Sequence, residues 1–327
     1  MNASSPVAVI DVGSNTIKLL VARRSAQGGL DTVLSRTIDA RISRGISHAS
    51  PVLGEEGVGA GLKAVADLVA AGRAAGASSF VIVATSAVRG ARNGAEFAAR
   101  VEATTGFPLR VLSGDEEANL IGRGLLTDPG LGDFRDFYVF DLGGGSLECL
   151  YFRNKQIAAA ISLPLGCVRL TERFVANPAA PVAASVLDAV SSHARAELAA
   201  SGFPFGAAAP AVFAGGTMTT ARAIRAAADG RELMESPREV TRAELARLLG
   251  AVSVLPLEHR RTDIKGLPAT RADVFPAALA TMLAVAEVGR FDSFTHSFYN
   301  LRYGIAADLL GRDPVADRAR SAPAAAD

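Results

Sequence analysis

Asp11 and Asp141 stand about 130 residues apart in two stretches built on one plan, VAVIDVGSNTIKLLVAR over 7–23 and FYVFDLGGGSLECLYFR over 137–153. Each stretch has a run of β-formers, an Asp-x-Gly, small or hydroxyl residues, and a second apolar strand. A strand that ends in an acid beside a tight Gly turn brings one carboxylate and several backbone N–H groups to a point. That is a way to hold a phosphate and its metal ion together. Two such turns facing each other make a phosphate clamp between two similar domains.

In the first turn Gly13 permits a conformation that a larger residue resists. Ser14, Asn15 and Thr16 supply hydroxyl and amide groups for phosphate oxygens, although a D-G-S-N cluster is also plain turn chemistry. In the second turn Gly143, Gly144 and Gly145 weaken strand packing for no structural gain and expose successive N–H groups ahead of Ser146. Glu148, seven residues after Asp141, lies one strand along and points back across the turn, so that the two acids could flank a Mg²⁺ directly or through water. The bland alternative is a Gly-rich hairpin with a solvated glutamate. Gly215-Gly216-Thr217 is a third Gly turn, from a strand into a helix whose N-terminus favours anions; a simple connection reads equally well.

Ser113 and Glu116 fit a capping box at the start of a helix, which gives Glu116 a structural task. Glu117 has none. It shares a helix face with Ile121 and Gly124, and a carboxylate on an inward face beside a phosphate can serve as general base for water. Its competing role is a first-turn acid that complements the helix dipole. Arg89, at the carboxyl end of a strand, is placed for bidentate phosphate contact or is a surface arginine on a loop.

The elements that must position these residues alternate. Strands are expected at 7–11, 16–23, 30–37, 79–86, 108–113, 137–141, 146–153 and 156–163, with a further strand ahead of Gly215 and another at 294–299. Helices are expected at 54–77, 94–105, 115–126, 166–175, 181–202, 217–228, 241–250, 272–290 and 301–311. Three strands, then helices alternating with strands, then much of it again, implies a three-layer α/β core occurring twice. The 327 residues suit two domains. A net charge of +1 calls for neither nucleic acid nor an anionic membrane. Cys149 and Cys167 are too few for a disulfide scaffold or a zinc cluster and read as buried thiols. Asp11 interrupts the first hydrophobic run, which argues against a signal peptide, and no membrane span is expected. A cytoplasmic protein is the default.

Taken together, DVGSNTIKLLV, ATSAVRGARN, LSGDEEANLIGRG, FDLGGGSLE, LPLGCVRLTE and AGGT resemble the exopolyphosphatase / guanosine pentaphosphate phosphohydrolase (Ppx/GppA) family, of the sugar kinase, Hsp70 and actin superfamily, over about residues 7–230. The resemblance implies an α/β fold of two ribonuclease-H-like (actin-like ATPase) domains with mixed sheets and an active site in the cleft between them. Domain I would span 1–124 plus 301–313, domain II 125–300, and 314–327 would be a disordered tail. It places the catalytic glutamate on Glu117, the Mg²⁺-associated carboxylates (Mn²⁺ in its place) on Asp11, Asp141 and Glu148, and phosphate contacts on Ser14, Asn15, Thr16, Arg89, Gly143, Gly144, Gly145, Ser146, Gly216 and Thr217.

The implied activity is Mg²⁺-dependent removal of the terminal phosphate of inorganic polyphosphate. Hydrolysis of pppGpp, a superfamily kinase, and a weakly active polyphosphate or (p)ppGpp sensor are the alternatives. The C-terminal third departs from the family pattern: RADVFPAAL has Ala277-Ala278 and no glycine, and SFYNLRYG over 297–304 carries Phe298, Asn300 and Tyr303 where the family has acid, glycine and glutamate. The aromatic stretch 291–303 reads as core or as the surface of a homodimer.

Overall fold

The computed structural model describes residues 5–26, 28–43 and 51–311. The tail expected at 314–327, and residues 312–313 of the last expected helical segment, lie outside the described residues.

A meander of β1 (Val7–Val12), β2 (Thr16–Arg24) and β3 (Leu30–Asp39) opens the chain. α1 (Glu55–Ala74) crosses to β4 (Ser79–Ala84), and α2 (Ser86–Gly90) with α3 (Gly94–Thr105) leads to β5 (Leu109–Val111). α4 (Gly114–Leu125) then runs into a second meander of β6 (Phe137–Leu142), β7 (Leu147–Arg153) and β8 (Gln156–Leu163). α5 (Cys167–Phe174) and α6 (Ala184–Ala200) cross to β9 (Ala211–Ala214), and α7 (Gly216–Ala228) to β10 (Glu239–Thr241). α8 (Arg242–Ser253), α9 (Leu257–Thr262) and α10 (Phe275–Gly289) precede β11 (Ser293–His296), and α11 (Leu301–Gly311) follows it.

The strands form two mixed sheets, ordered β3-β2-β1-β4-β5 and β10-β11-β9-β6-β7-β8. Around β1 and around β6 the plan is the same, an antiparallel meander on one side and two parallel strands on the other, and the second sheet adds β10 at its edge, antiparallel to β11. Both central strands are buried along almost their whole length, which is why they read as unbroken apolar runs rather than alternating ones.

α4 and α11 form the layer between the sheets. Val9 and Leu20 of the first sheet and Val139 and Leu150 of the second share one core with Ala118, Ile121, Leu301 and Ile305 of these helices. The helices approach closely because each presents glycine at the crossing: a Cβ on Gly124 would overlap the Asn300 carbonyl, and one on Gly304 would overlap the Leu120 carbonyl. The capping box that starts α4 forms as expected: Glu116 N–H donates to Ser113 Oγ at 3.1 Å and Ser113 N–H to Glu116 Oε2 at 2.9 Å.

Some expectations need correction. The strand expected over 79–86 ends at Ala84, because β1 offers no ladder partner beyond Val12, and residues 86–90 turn into α2. The strand expected at 294–299 covers Ser293–His296 only. β10, of three residues, and α9, of six, are too short to carry a readable period and were not expected. Phe291, Phe294 and Tyr303 of the aromatic stretch are buried in the chain's own core. No helix among the described residues is long and apolar enough to cross a membrane.

The α4–α11 crossing leaves no room for a methyl group. Gly304→Ala should therefore destabilise the fold by ~1–3 kcal/mol, the usual cost of overpacking. Denaturant unfolding checks this, and an unchanged midpoint would mean that the two helices separate freely.

Candidate active site in the cleft between the sheets

Strand alternation decides where the acids go. Asp11 lies on the face of β1 that carries Val7 and Val9, and Asp141 on the face of β6 that carries Phe137 and Val139. Those are the faces that pack on α4 and α11. Each apolar stripe therefore ends in a carboxylate at the carboxyl end of its strand, and both carboxylates face inward. Register places Lys18 opposite Asp11 and Glu148 opposite Asp141. The turns close in the same way, with Gly13 N–H donating to the Thr16 carbonyl at 3.2 Å and Gly143 N–H to the Ser146 carbonyl at 3.0 Å.

The two turns meet. A Cβ on Gly144 would sit 2.7 Å from the Ser14 Cβ, and one on Gly145 would sit 2.5 Å from the Ser86 hydroxyl oxygen. Any side chain there would push the loops apart. Asp11, Ser14, Asn15, Thr16, Glu117, Asp141, Gly143, Gly144, Gly145, Ser146, Glu148 and Gly216 line one cleft.

Two expected residues lie elsewhere. Thr217 is buried behind Gly216 in the first turn of α7, 1 % exposed. Arg89 is placed by α2 so that its Nη1 donates to Glu117 Oε2 at 3.0 Å and to the Leu112 carbonyl at 2.7 Å. The guanidinium thus holds the carboxylate that faces the cleft.

The cleft also contains groups outside the expected site residues: Lys18, Thr85, Ser86, Cys167, Arg271 and Asn300. Lys18 had a signal. It occupies in the first copy the position that Glu148 occupies in the second. Arg271 opens RADVFPAAL, a stretch noted for its missing glycine rather than for its arginine, and it arrives on a short 3-10 turn (Ala269–Arg271) far along the chain. That turn is held by the fully buried Arg260, which donates to the Ala272 carbonyl at 2.8 Å and to the Pro178 and Ala180 carbonyls at 3.0 Å each.

Burial governs the electrostatics. It raises Asp11 above the ordinary carboxylate range, against the opposing pull of Lys18 and Arg302. It raises Asp141 too, again opposed by Lys18. Glu117 is pushed well above its usual value by burial and by the Glu148 charge, with Arg89 pulling the other way. Burial and the neighbouring Asp141 raise Glu148, whose Oε1 accepts a hydrogen bond from Ser162 at 2.8 Å. Lys18 is lowered by burial and by Arg302. The Cys167 thiol is pushed up by burial to about 11, so it is not a nucleophile at neutral pH.

Four inward carboxylates with raised pKa values are a standing demand for positive charge. Asp11 Oδ1 is buried without a hydrogen-bond partner, so the site has a hard oxygen donor to spare. Among the described residues no three His, Cys, Asp or Glu side chains form a ready-made metal cage. A dication that keeps its waters and binds through one or two carboxylates plus phosphate oxygens suits such a donor set, and that is the habit of Mg²⁺.

The fold and the cleft have known counterparts. A family model described as the Ppx/GppA phosphatase family matches residues 20–313. An exopolyphosphatase-like protein of known structure is 25 % identical, with 93 % of this chain and 97 % of that one covered and a TM-score of 0.84. An exopolyphosphatase from Cytophaga hutchinsonii shares 21 % identity over 94 % of this chain and 98 % of its own, with a TM-score of 0.82. The Aquifex aeolicus Ppx/GppA enzyme shares 24 % over 94 % and 99 %, with a TM-score of 0.75. These likenesses place the two sheets in the actin-like ATPase fold. With a match over most of its length, this chain belongs to the Ppx/GppA phosphatase family of phosphohydrolases.

Proposed function

We propose that the chain is an exopolyphosphatase, which removes the terminal phosphate of inorganic polyphosphate with Mg²⁺ and a water activated by Glu117. One observation carries the reading: a buried glutamate, ion-paired to Arg89 at 3.0 Å, lines the same cleft as two opposed Asp-Gly turns. An inorganic chain needs only cations and N–H donors. The cleft lining supplies these and, among the described residues, includes no aromatic ring to stack on a base.

In this reading the terminal phosphoryl group sits between the turns, its oxygens met by backbone N–H groups of the second loop and by Ser14, Asn15 and Thr16 of the first. Asp11 and Asp141 are the residues that would hold Mg²⁺, with Glu148 beside them; when bound, the ion neutralises phosphoryl oxygens as charge builds on them. Lys18 and Arg271 add fixed positive charge in a partly enclosed site, where it counts for more than in water. Glu117 accepts the proton of the attacking water. The water oxygen bonds to the terminal phosphorus, the bridging P–O bond breaks, and the shortened chain leaves as an oxyanion. Arg89 fixes the orientation of the Glu117 carboxylate and favours its ionised form, offsetting part of the opposing effects of burial and of Glu148.

Glu117→Gln keeps the shape of the side chain and removes its basicity. Turnover should fall by about 10²–10⁴-fold, the usual contribution of a general base, while Mg²⁺-dependent binding of tripolyphosphate persists. Retained turnover would remove Glu117 from the mechanism. The acids also make a stability prediction. Their folded-state pKa values are raised, so the folded chain binds more protons than the unfolded one above the ordinary carboxylate range; the associated stability is lost as pH rises through the raised values. Without metal, the Tm should fall between about pH 5 and pH 7.5, and fall less in Asp141→Asn. Mg²⁺ should raise the Tm more at the higher pH, where fewer protons compete. Identical profiles for the two proteins, with no response to Mg²⁺, would contradict the assignment.

A further inference from the structure

α5 sets its first turn against the carbonyls of the second glycine loop. Cys167 N–H donates to the Gly143 carbonyl at 3.0 Å, and the Val168 and Arg169 N–H groups donate to the Gly144 carbonyl at 2.9 and 3.2 Å. The approach is backbone to backbone: a Cβ on Gly166, the residue before the helix, would sit 2.3 Å from the Gly144 oxygen. These three N–H groups are donors that a helix start leaves without an intrahelical partner. The next one, of Leu170, already donates to the Gly166 carbonyl at 3.0 Å and begins the helical ladder. The first turn has then spent its main-chain donors, and the Gly145 carbonyl still needs one. The Arg169 side chain supplies it, with Nε donating to the Gly145 oxygen at 3.1 Å.

The direction of these carbonyls decides what the loop shows the cleft. The described peptides are trans, and a planar trans peptide points its N–H opposite to its C=O. Holding the carbonyls of Gly143, Gly144 and Gly145 toward α5 therefore turns the N–H groups of Gly144, Gly145 and Ser146 to the other side, where these residues line the cleft. Glycine turns over at little steric cost, so each peptide keeps its direction only while its carbonyl is held. The first loop is held by main chain alone. Its Ser14 carbonyl accepts from Ser43 N–H at 3.2 Å, and its Asn15 carbonyl accepts from Ala40 and Arg41 N–H at 3.2 and 2.9 Å. The Gly145–Ser146 peptide differs from these in depending on a side chain.

Given the reading of the cleft as a phosphoryl site, on which this rests, we propose that Arg169 is a positioning residue for the reaction. Its Nε–H holds the Gly145–Ser146 peptide with the Ser146 N–H aimed at an oxygen of the terminal phosphoryl group. The guanidinium acts from behind the loop, through one hydrogen bond, and touches no reacting atom. A donor already oriented needs no reorganisation as charge builds on that oxygen. A peptide left unheld is free to present its carbonyl there instead, and a carbonyl repels the same oxygen.

Arg169→Gln and Arg169→Met separate this role from others. Gln Nε2 stands the same number of bonds from the backbone as Arg Nε, so Gln keeps a donor and loses the charge, whereas Met keeps the length and loses both. Arg169 is half-buried, so both variants should fold, and each is assayed well below its own Tm. With Mg²⁺ and long polyphosphate, kcat of Arg169→Met should fall about tenfold or more, toward the ~10²–10³-fold cost of losing an oxyanion donor, while KM changes by less than about threefold. Arg169→Gln should stay within about threefold of the wild type in both constants. In crystal structures of the variants, the Gly145 carbonyl should keep its direction with Gln and lose it with Met. Equal losses in the two variants, or a rise in KM alone, would mean that the charge acts on the polyanion and would overturn the clamp. An unchanged kcat in Arg169→Met, or a Gly145 carbonyl that keeps its direction there, would overturn it too. If Arg169→Met does not fold, Arg169→Gln decides alone, and a loss of kcat in it is the contrary result. A wild type that releases no phosphate would instead overturn the cleft reading, and the carbonyl direction would still decide the clamp.

Discussion

The site depends on two loops touching with nothing between them. Ser14 packs against Gly144 and Gly145 at a distance that admits no Cβ on the second loop. This contact exists because α4 and α11, the layer between the sheets, cross at glycines and let the sheets draw together at their carboxyl ends. The same stripes of alternate residues that form the inner core then end in Asp11 and Asp141. Core packing and the placing of charge are thus one act: the helices that bury Val9 and Val139 also fix how far apart the two acids stand, and α4 carries Glu117 into the space between them.

The electrostatics follow from that geometry. Four carboxylates are brought inward, and burial raises each of them. Lys18, Arg89 and Arg302 offset part of the charge, and Arg89 does so by a direct bond to the group read as the base. A cleft in this condition has unspent affinity for cations, and a cation bound there has unspent affinity for phosphoryl oxygens. Cys167, the thiol in the cleft lining, is held protonated by burial and adds no charge to the site at neutral pH.

Much of this was legible in the chain because it is local. The strand–turn–strand pattern of each elbow lies within about 17 residues and is written twice, so period and repetition support each other. The capping box at Ser113 and Glu116 isolated Glu117 by the same local reasoning, and Glu117 is indeed buried. What was not legible came from long range or from small displacements. Arg89 is expected at the carboxyl end of a strand; the strand stops at Ala84, and the turn into α2 sets its guanidinium on Glu117. Arg271 and Arg302 enter from RADVFPAAL and SFYNLRYG, stretches that stood out for their departures from the family pattern rather than for these two cations. Lys18 sat in plain view as the counterpart of Glu148, but a lysine in a strand attracts notice only when the register with Asp11 is known.

The central claim is that both elbows and Glu117 act on the terminal phosphoryl group of an inorganic chain. Phosphate release from long polyphosphate, tripolyphosphate, pppGpp and ATP, measured side by side with and without Mg²⁺, tests it most directly. The account predicts Mg²⁺-dependent release from the ends of polyphosphate at a rate above that from pppGpp or ATP. Release from none of them, or consumption of ATP only when a small-molecule acceptor is present, would contradict it.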